Sequence, residues 1–261
     1  MNSRPIIVVL LAATLFFRAD NDRSSIQCAT DARHASLPDT ARPSPWDPVA
    51  TFSILGFDPA TGEVGGAVQS RVFSVGNGVL WAEAGAGAVA TQAIVDVSYG
   101  PQALALLKKG VAPKEIIKQV WDGDPDPRPA DWTKQGRQFA VINAKGEAAA
   151  FTGPKATPWA GHKAGKYCTA QGNILASEQV VNKMVDAFEN TSGHLSLRLL
   201  SALEAGQTAG GDKRGMQSAA MLIVKKDGGV WLHNDVVIRL TRHCGDCRLL
   251  EGDNREFRHS L

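Results

Sequence analysis

The sequence predicts an α+β domain in which antiparallel sheets are covered by helices. Two observations lead to this class: the strand-forming segments occur as hairpins, and each group of strands is followed by a pair of segments with helical periodicity. The chain has 261 residues, of which 44% are hydrophobic. That amount of apolar material can bury the core of one large domain or of two small ones.

The first predicted element is a hairpin that starts at Thr51. Residues 51–57 and 64–70 are predicted to be extended, with the Asp-Pro-Ala-Thr-Gly turn of residues 58–62 between them. Residues 79–93 follow, and their high content of alanine, valine and glycine indicates strands packed closely against other backbone.

Two helices are predicted next. Pro101 lies in the first turn of one, which ends at Gly110, and Pro113 begins the other, which ends at Gly123. The apolar residues predicted to face the core are Leu104, Leu106, Leu107, Ile116, Ile117, Val120 and Trp121.

A second hairpin, QFAVINAKGEAAAFTG, follows an acidic and proline-rich loop at residues 122–129. Its Asn-Ala-Lys-Gly turn places Gly146 where a left-handed residue is wanted. Two further helices come next: Ser177 can cap the first, and Gly206 ends the second. The segments QSAAMLIVKK and DVVIRL are the last predicted strands.

The two ends of the chain differ from this domain in composition. Arg4 precedes an apolar run at residues 6–17, which is too short to span a bilayer but typical of a signal peptide; a buried segment of the mature domain is the alternative. The chain is therefore expected to be exported, to the periplasm or outside the cell, without a stable membrane anchor after processing. The predicted divisions are a signal-peptide-like segment at 1–19, a disordered linker at 20–49, the folded domain at 50–241 and a polar C-terminal tail at 242–261.

Charge and cysteine content restrict the partners. The formal net charge is +2 and no basic stripe alternates with aromatic residues, so a small molecule or short peptide is the expected partner and nucleic acid is not. A homo-oligomer is also expected. Cys244 and Cys247 form one C-x-x-C pair without a second, so no metal is predicted; a local disulfide is expected, with surface thiols as the alternative. No cofactor is predicted.

Five segments of the domain resemble one known family. They are ATFSILGFDPATGEVGGAVQSR, GAGAVATQA, YGPQALALL, QGNIL and GGDKRGMQSAA, which occur in order between residues 50 and 240. They resemble the bacterial family described as domain of unknown function 1028, which is itself similar to the N-terminal nucleophile (Ntn) hydrolases. The resemblance implies an Ntn-hydrolase-like four-layer αββα sandwich of two antiparallel sheets.

Thr51 has two interpretations. From the residues alone, a threonine at the start of a strand is ordinarily a β-branched strand former. The resemblance implies instead that Thr51 is an N-terminal nucleophile whose own α-amino group, with a reference pKa near neutrality, serves as its base. That role requires cleavage of the Ala50–Thr51 bond, because an amide nitrogen is not basic.

The remaining site residues lie at the end of the second strand of the hairpin and in the segments GAGAVATQA, QGNIL and GGDKRGMQSAA. Ser70 and Arg71 can orient the amine or bind a substrate carboxylate, or simply form a turn. Asn173 can polarise a carbonyl or order its loop, and Asp212 can act in the site or only pair with Arg214. The predicted catalytic residues are Thr51, Ser70, Asn173 and Asp212, and the predicted substrate-binding residues are Arg71, Gln92, Arg214, Gln217 and Ser218.

Two classes of function follow from these assignments. One is an exported Ntn-type amidohydrolase that cleaves an amide bond in a small molecule or short peptide through an acyl-enzyme. The other is a non-catalytic exported module that binds a small molecule on the same fold, and a structural oligomer is a third interpretation. Product formation that depends on Thr51 distinguishes the first class from the others.

Overall fold

Two antiparallel sheets and the helices around them form the part of the chain that the computed structural model describes, residues 51–243. The strands are β1 (Thr51–Phe57), β2 (Val64–Ser70), β3 (Leu80–Glu83), β4 (Gly87–Ala93), β5 (Arg137–Asn143), β6 (Ala148–Thr152), β7 (Gly161–Gly165), β8 (Cys168–Asn173), β9 (Ser218–Val224) and β10 (Val236–His243). The helices are α1 (Gly76–Val79), α2 (Tyr99–Lys108), α3 (Pro113–Gly123), α4 (Gln179–Asn190) and α5 (Leu195–Thr208), with a short 3-10 helix at Lys134–Gly136.

The larger sheet has six strands in the order β10-β9-β2-β1-β8-β7, and the smaller has four in the order β3-β4-β5-β6. Every pairing between neighbouring strands is antiparallel. β1 is an inner strand of the larger sheet, and its register places Thr51 opposite Ser70 on one side and opposite Asn173 on the other. The first residue of β1 is therefore held by backbone pairing on both sides.

Three apolar cores separate four layers. Alternate residues of β1 point to opposite faces of the sheet: Phe52 and Ile54 pack with α4 and α5, whereas Leu55 and Phe57 pack between the two sheets. The third core joins the outer face of the smaller sheet to α2 and α3. This order of helices, sheet, sheet and helices confirms the predicted α+β sandwich of two antiparallel sheets.

Glycine allows the strands of the larger sheet to approach closely. A Cβ atom on Gly65 of β2 would lie 2.0 Å from the backbone oxygen of Leu222 on β9. The predicted left-handed turn is also present, since Gly146 has a φ of 82°.

The structure adds elements that the sequence patterns do not predict. The strand β7 has the sequence GHKAG, which is poor in β-branched and aromatic residues, and it forms by pairing with β8. Strand β10 continues to His243, two residues beyond the boundary that composition indicates at residue 241. Among residues 51–243, no helix is both long and apolar enough to cross a membrane.

The predictions for the chain ends concern residues outside the described range. These are the signal-peptide-like segment, the linker, the tail beyond His243, and the states of Cys28, Cys244 and Cys247. Cys168 is described: it is buried and free, and burial raises the pKa of its thiol to about 12. An uncharged thiol of this kind is a packing residue rather than a nucleophile.

Candidate functional site

Thr51 lies at the end of β1 on the face that points toward the smaller sheet. Its side chain is fully buried, and its hydroxyl donates a hydrogen bond of 3.2 Å to the Ser70 hydroxyl. Ser70 and Asn173 are its direct neighbours across β2 and β8. The sequence prediction that these three residues are close together is thus met by the strand register, whereas their chemical roles stay predictions.

A layer of polar side chains fills the space between the two sheets behind Thr51. We refer to Ser53, Gln92, Gln138, Gln171 and Asn173 as the inter-sheet network; none of them is more than 2% exposed. The Ser53 hydroxyl donates to Gln92 Oε1 over 2.6 Å and accepts from Gln171 Nε2 over 2.6 Å. Buried polar groups are tolerated where they are satisfied in this way.

The same network holds the Thr51 backbone. Gln92 Nε2 donates to the Thr51 carbonyl oxygen over 3.3 Å and to Gln138 Oε1 over 2.7 Å. Asn173 Nδ2 donates to Gln138 Oε1 over 3.2 Å and lies 3.5 Å from the Thr51 carbonyl oxygen. Gln138 Nε2 in turn donates to the backbone oxygen of Gly172 over 2.9 Å. These contacts fix the position of Thr51 without using its hydroxyl group.

Asn173 Oδ1 has no hydrogen-bond partner among the described residues, although it is buried. An orphaned buried acceptor costs free energy, so it marks a place where a further donor is needed. The Nδ2 group is already directed at Gln138 and the Thr51 backbone. The predicted role of polarising a carbonyl needs a free amide N–H, and the geometry instead offers an acceptor beside Thr51.

Replacing Ser53 by alanine is expected to lower the free energy of unfolding by about 2 kcal/mol, because Gln92 Oε1 and Gln171 Nε2 would both lose a buried partner. Denaturant unfolding measures the change. Ser201→Ala on α5 is the matched control, since no hydrogen bond of the Ser201 hydroxyl is present in the described part of the chain. An equal effect of the two substitutions would contradict the importance of the network.

Backbone strain occurs at the same end of the sandwich. Ala93, directly after Gln92, has a φ of 66°, and Ile174, directly after Asn173, has a φ of 52°. Residues with side chains rarely adopt this left-handed conformation, and such strain clusters at functional sites. Both strands therefore turn away immediately after presenting a side chain to the network.

The Asp212 carboxylate fixes the loop before β9 to the end of β2. It is buried, it accepts from the backbone N–H of Arg71 over 3.3 Å, and it pairs with the Arg214 guanidinium at 3.1 Å. This geometry favours the structural alternative for Asp212 and Arg214, in which the pair orders its loop. The Arg71 side chain is exposed.

Gln217 and Ser218 also form hydrogen bonds with backbone groups at and after the end of β2. The Gln217 N–H donates to the Ser70 carbonyl oxygen over 2.9 Å. The Ser218 hydroxyl donates to the Val72 carbonyl oxygen and accepts from the Val75 N–H over 3.1 Å. The Ser218 hydroxyl is thus used to position the segment that follows β2, whereas Gln217 is held there through its backbone N–H alone.

A cavity of about 390 Å³ opens beside Thr51. Its apolar walls come from Val72, Val75, Val79, Ala93, Val95 and Trp132. Its polar lining includes Ser74 and Thr91, and of the nine predicted site residues only Thr51 and Gln92 belong to it. The cavity thus combines a buried threonine with a largely apolar wall, which is the usual composition of a small-molecule site.

Arg128 and Trp132 line this cavity and were missed by the sequence analysis. They lie in the connection between α3 and β5, where the sequence pattern predicts only an acidic, proline-rich loop at residues 122–129, a range that leaves out Trp132. A connection of this length without strands or α-helix is often functional, and that length was the signal available.

A buried charged cluster anchors this connection. Asp124 accepts from the Tyr99 hydroxyl over 2.5 Å and from Arg137 Nε over 3.4 Å, while Arg137 Nη1 donates to the backbone oxygens of Ile94 and Trp132 over 2.9 and 3.0 Å. Burial and the hydrogen bond to Asp124 raise the pKa of the Tyr99 hydroxyl.

The Asp124 carboxyl shifts in the opposite direction. Burial alone would raise its pKa, but hydrogen bonds from Tyr99 and the Asp126 backbone, together with the Arg137 charge, outweigh burial and hold that pKa below its ordinary value. Asp124 is therefore a carboxylate that the cluster stabilises. No group of three or more histidine, cysteine, aspartate or glutamate side chains within residues 51–243 is placed to hold a metal ion.

The fold and the site define an α+β sandwich in which a buried threonine lines a small cavity. A family model described as a family of unknown function, DUF1028, matches residues 51–243, and the chain belongs to this family. The match begins at Thr51 itself.

A solved structure supports the same assignment. The crystal structure of protein SPO2555 from Silicibacter pomeroyi, also attributed to DUF1028, is 31% identical to this chain with a TM-score of 0.65. The similarity covers 74% of this chain and 81% of that protein. No curated protein sequence matches the chain.

Proposed function

We propose that this protein is an exported amidohydrolase of the N-terminal nucleophile type, with Thr51 as nucleophile once the bond before it has been cleaved. The observation that carries the proposal is the position of Thr51: it begins an inner strand, it lines the cavity, and its hydroxyl bonds to Ser70. The strained backbone at Ala93 and Ile174 beside it supports a functional role for this end of the sandwich.

The chemistry requires few groups. The free α-amino group of Thr51 takes the proton of the Thr51 hydroxyl, and Oγ1 attacks the carbonyl carbon of the substrate amide. The C–N bond breaks as the resulting ammonium gives its proton to the departing amine, which leaves an ester on Thr51. Water, deprotonated by the same amine, then hydrolyses the ester and restores the hydroxyl.

The neighbours of Thr51 have positioning roles in this proposal. Ser70 accepts the hydroxyl hydrogen bond in the resting site. Gln92 holds the Thr51 carbonyl, and the orphaned Asn173 Oδ1 can accept a hydrogen bond from the ammonium that forms during the reaction. An acceptor there stabilises the charged amine, which is the state created when the nucleophile attacks.

Two purified chains that differ by one residue test the proposal. One begins at Thr51, and the other retains Ala50; both are released from a cleavable fusion and assayed against a library of amides. We expect hydrolysis only by the chain that begins at Thr51, because an acylated nitrogen cannot act as the base. Equal turnover by the chain that retains Ala50 would contradict the mechanism.

The protein isolated from its source provides a second measurement. N-terminal sequencing is expected to give Thr51 as the first residue, and fractionation is expected to find the protein outside the cytoplasm. Full-length chain in the cytosol would contradict both processing and export.

A binding module is the second candidate function, and the largely apolar lining of the cavity favours it. In that case both chains bind a ligand saturably and neither releases a product. The comparison of the two chains therefore separates the two functions.

A further inference from the structure

We propose that the cavity beside Thr51 selects ligands that carry a carboxylate next to an apolar group, and that Arg128 is the residue that binds the carboxylate. As a statement about substrates, this inference rests on the proposed amidohydrolase function. As a statement about binding, it depends only on the cavity and can be tested without turnover.

The charge of the lining is the first step. Arg128 is the only residue with a formal charge among those that line the cavity. The polar neighbours are Thr51, Ser74, Thr91 and Gln92, whose side chains are uncharged at neutral pH. Asp131 pairs with one edge of the guanidinium, and no carboxylate is among the lining residues, so the remaining edge favours an anionic group in the ligand.

The hydrogen-bonding capacity of Arg128 is the second step. Its Nε donates to Asp131 Oδ1 over 3.2 Å, and one N–H of Nη2 donates to Asp131 Oδ2. The other N–H groups of Nη1 and Nη2 have no acceptor within residues 51–243. The guanidinium can therefore receive a carboxylate on its remaining edge while Asp131 holds the first edge.

The placement of Arg128 is the third step. The Arg128 carbonyl oxygen accepts from the Trp132 N–H over 2.8 Å, and Trp132 Nε1 donates to the Val95 carbonyl oxygen over 2.9 Å. Arg137, which is 2% exposed, donates to the Trp132 carbonyl oxygen. The backbone that carries Arg128 is thus tied to the end of the smaller sheet, while the Arg128 side chain, which is 51% exposed, lines the cavity and pairs with Asp131.

The apolar part of the ligand follows from the remaining lining. Because the indole N–H of Trp132 is bonded to Val95, the rest of the indole is available as an apolar surface beside the valine side chains. A volume of about 390 Å³ lies near the lower end of the range of small-molecule sites. The ligand is therefore a compact molecule in which a short acyl or aryl group lies within a few bonds of a carboxylate.

The test uses two probes without an amide bond, so that binding is measured without hydrolysis. They are 4-phenylbutanoate and 4-phenylbutanol, which share the apolar part and differ in the charged group. Calorimetric titration of the purified full protein is expected to show that the carboxylate binds about tenfold more tightly than the alcohol. Similar affinity for the two probes, or no binding of the carboxylate, would overturn the inference.

Three variants test whether Arg128 is the residue that binds the carboxylate. Arg128→Gln is expected to reduce carboxylate affinity about tenfold and to leave alcohol affinity unchanged, while Asp131→Asn is expected to tighten carboxylate binding because it frees the guanidinium. Arg239→Gln is the matched control, since Arg239 is exposed on β10 and does not line the cavity. Unchanged carboxylate affinity in Arg128→Gln, with a normal unfolding temperature, would overturn the inference.

The result is independent of the Thr51 experiments. A carboxylate preference that Arg128→Gln removes supports the site even if neither Thr51 chain hydrolyses an amide. Turnover that depends on Thr51, together with no preference for the carboxylate, would keep the proposed function and overturn this inference.

Discussion

Replacing Thr51 by alanine in the chain that begins at Thr51 is expected to lower amide hydrolysis by about a thousandfold or more, because alanine has no oxygen with which to attack the substrate. Thr51→Ser is expected to keep measurable turnover, since serine retains the hydroxyl and the α-amino group. The turnover rate of both variants is measured at saturating concentration of an amide that the unmodified chain hydrolyses.

The control for this prediction is Thr208→Ala. Thr208 is exposed at the end of α5, and its hydroxyl donates to the Glu204 backbone oxygen within the helix. The Thr208→Ala substitution therefore removes a threonine hydroxyl without changing the cavity. Full turnover by Thr51→Ala, or an equal loss in Thr208→Ala, would exclude Thr51 as the nucleophile.

Replacing Arg137 by methionine is expected to lower the free energy of unfolding by about 3 to 5 kcal/mol, because it leaves the Asp124 carboxylate buried without its cationic partner. The same substitution removes the hydrogen bonds to the Ile94 and Trp132 backbone oxygens. Chemical unfolding of the variant measures the loss.

Two variants test this explanation. Arg239→Met removes an arginine from the exposed face of β10 and is expected to change stability by less than about 0.5 kcal/mol. The double variant Arg137→Met/Asp124→Leu is expected to recover part of the loss, since no unpaired charge is then buried. Asp124→Leu alone is measured as well. If the losses of the two single variants simply add in the double variant, the charge explanation is wrong.

The same cluster determines how the stability of the wild-type protein changes with pH. The folded-state pKa of Asp124 is lowered, so its contribution to stability is present above the unfolded pKa of an aspartate and is lost as the pH falls through the lowered value. The Arg137→Met variant lacks the cationic partner, so its stability should fall less steeply over that acidic range.

Local sequence patterns predicted the larger part of the sandwich because each hairpin carries its own signals. The turn at residues 58–62 fixes the register of β1 and β2, and that register alone puts Ser70 beside Thr51. Asn173 could be predicted as a neighbour only through the family resemblance, since β8 follows β1 by more than a hundred residues.

The inter-sheet network could not be predicted because it joins strands of different sheets. Gln92 and Gln138 lie on the smaller sheet, and Ser53 and Gln171 lie on the larger. Alternation shows which face of a strand a residue occupies, but it does not show which residue of the other sheet lies opposite. Arg128 was missed for a related reason, since a loop has no periodicity that relates its side chains to a cavity.

The connection between α3 and β5 has a consequence for how the protein can change over time. Thr51 belongs to an inner strand whose register any insertion would disturb, whereas Arg128 and Trp132 belong to a surface connection that tolerates changes of length and composition. The proposed nucleophile and the proposed ligand-binding residues therefore lie in separate segments of the chain. Substitutions in the connection between α3 and β5 can alter the cavity wall without disturbing the strand pairing that holds Thr51.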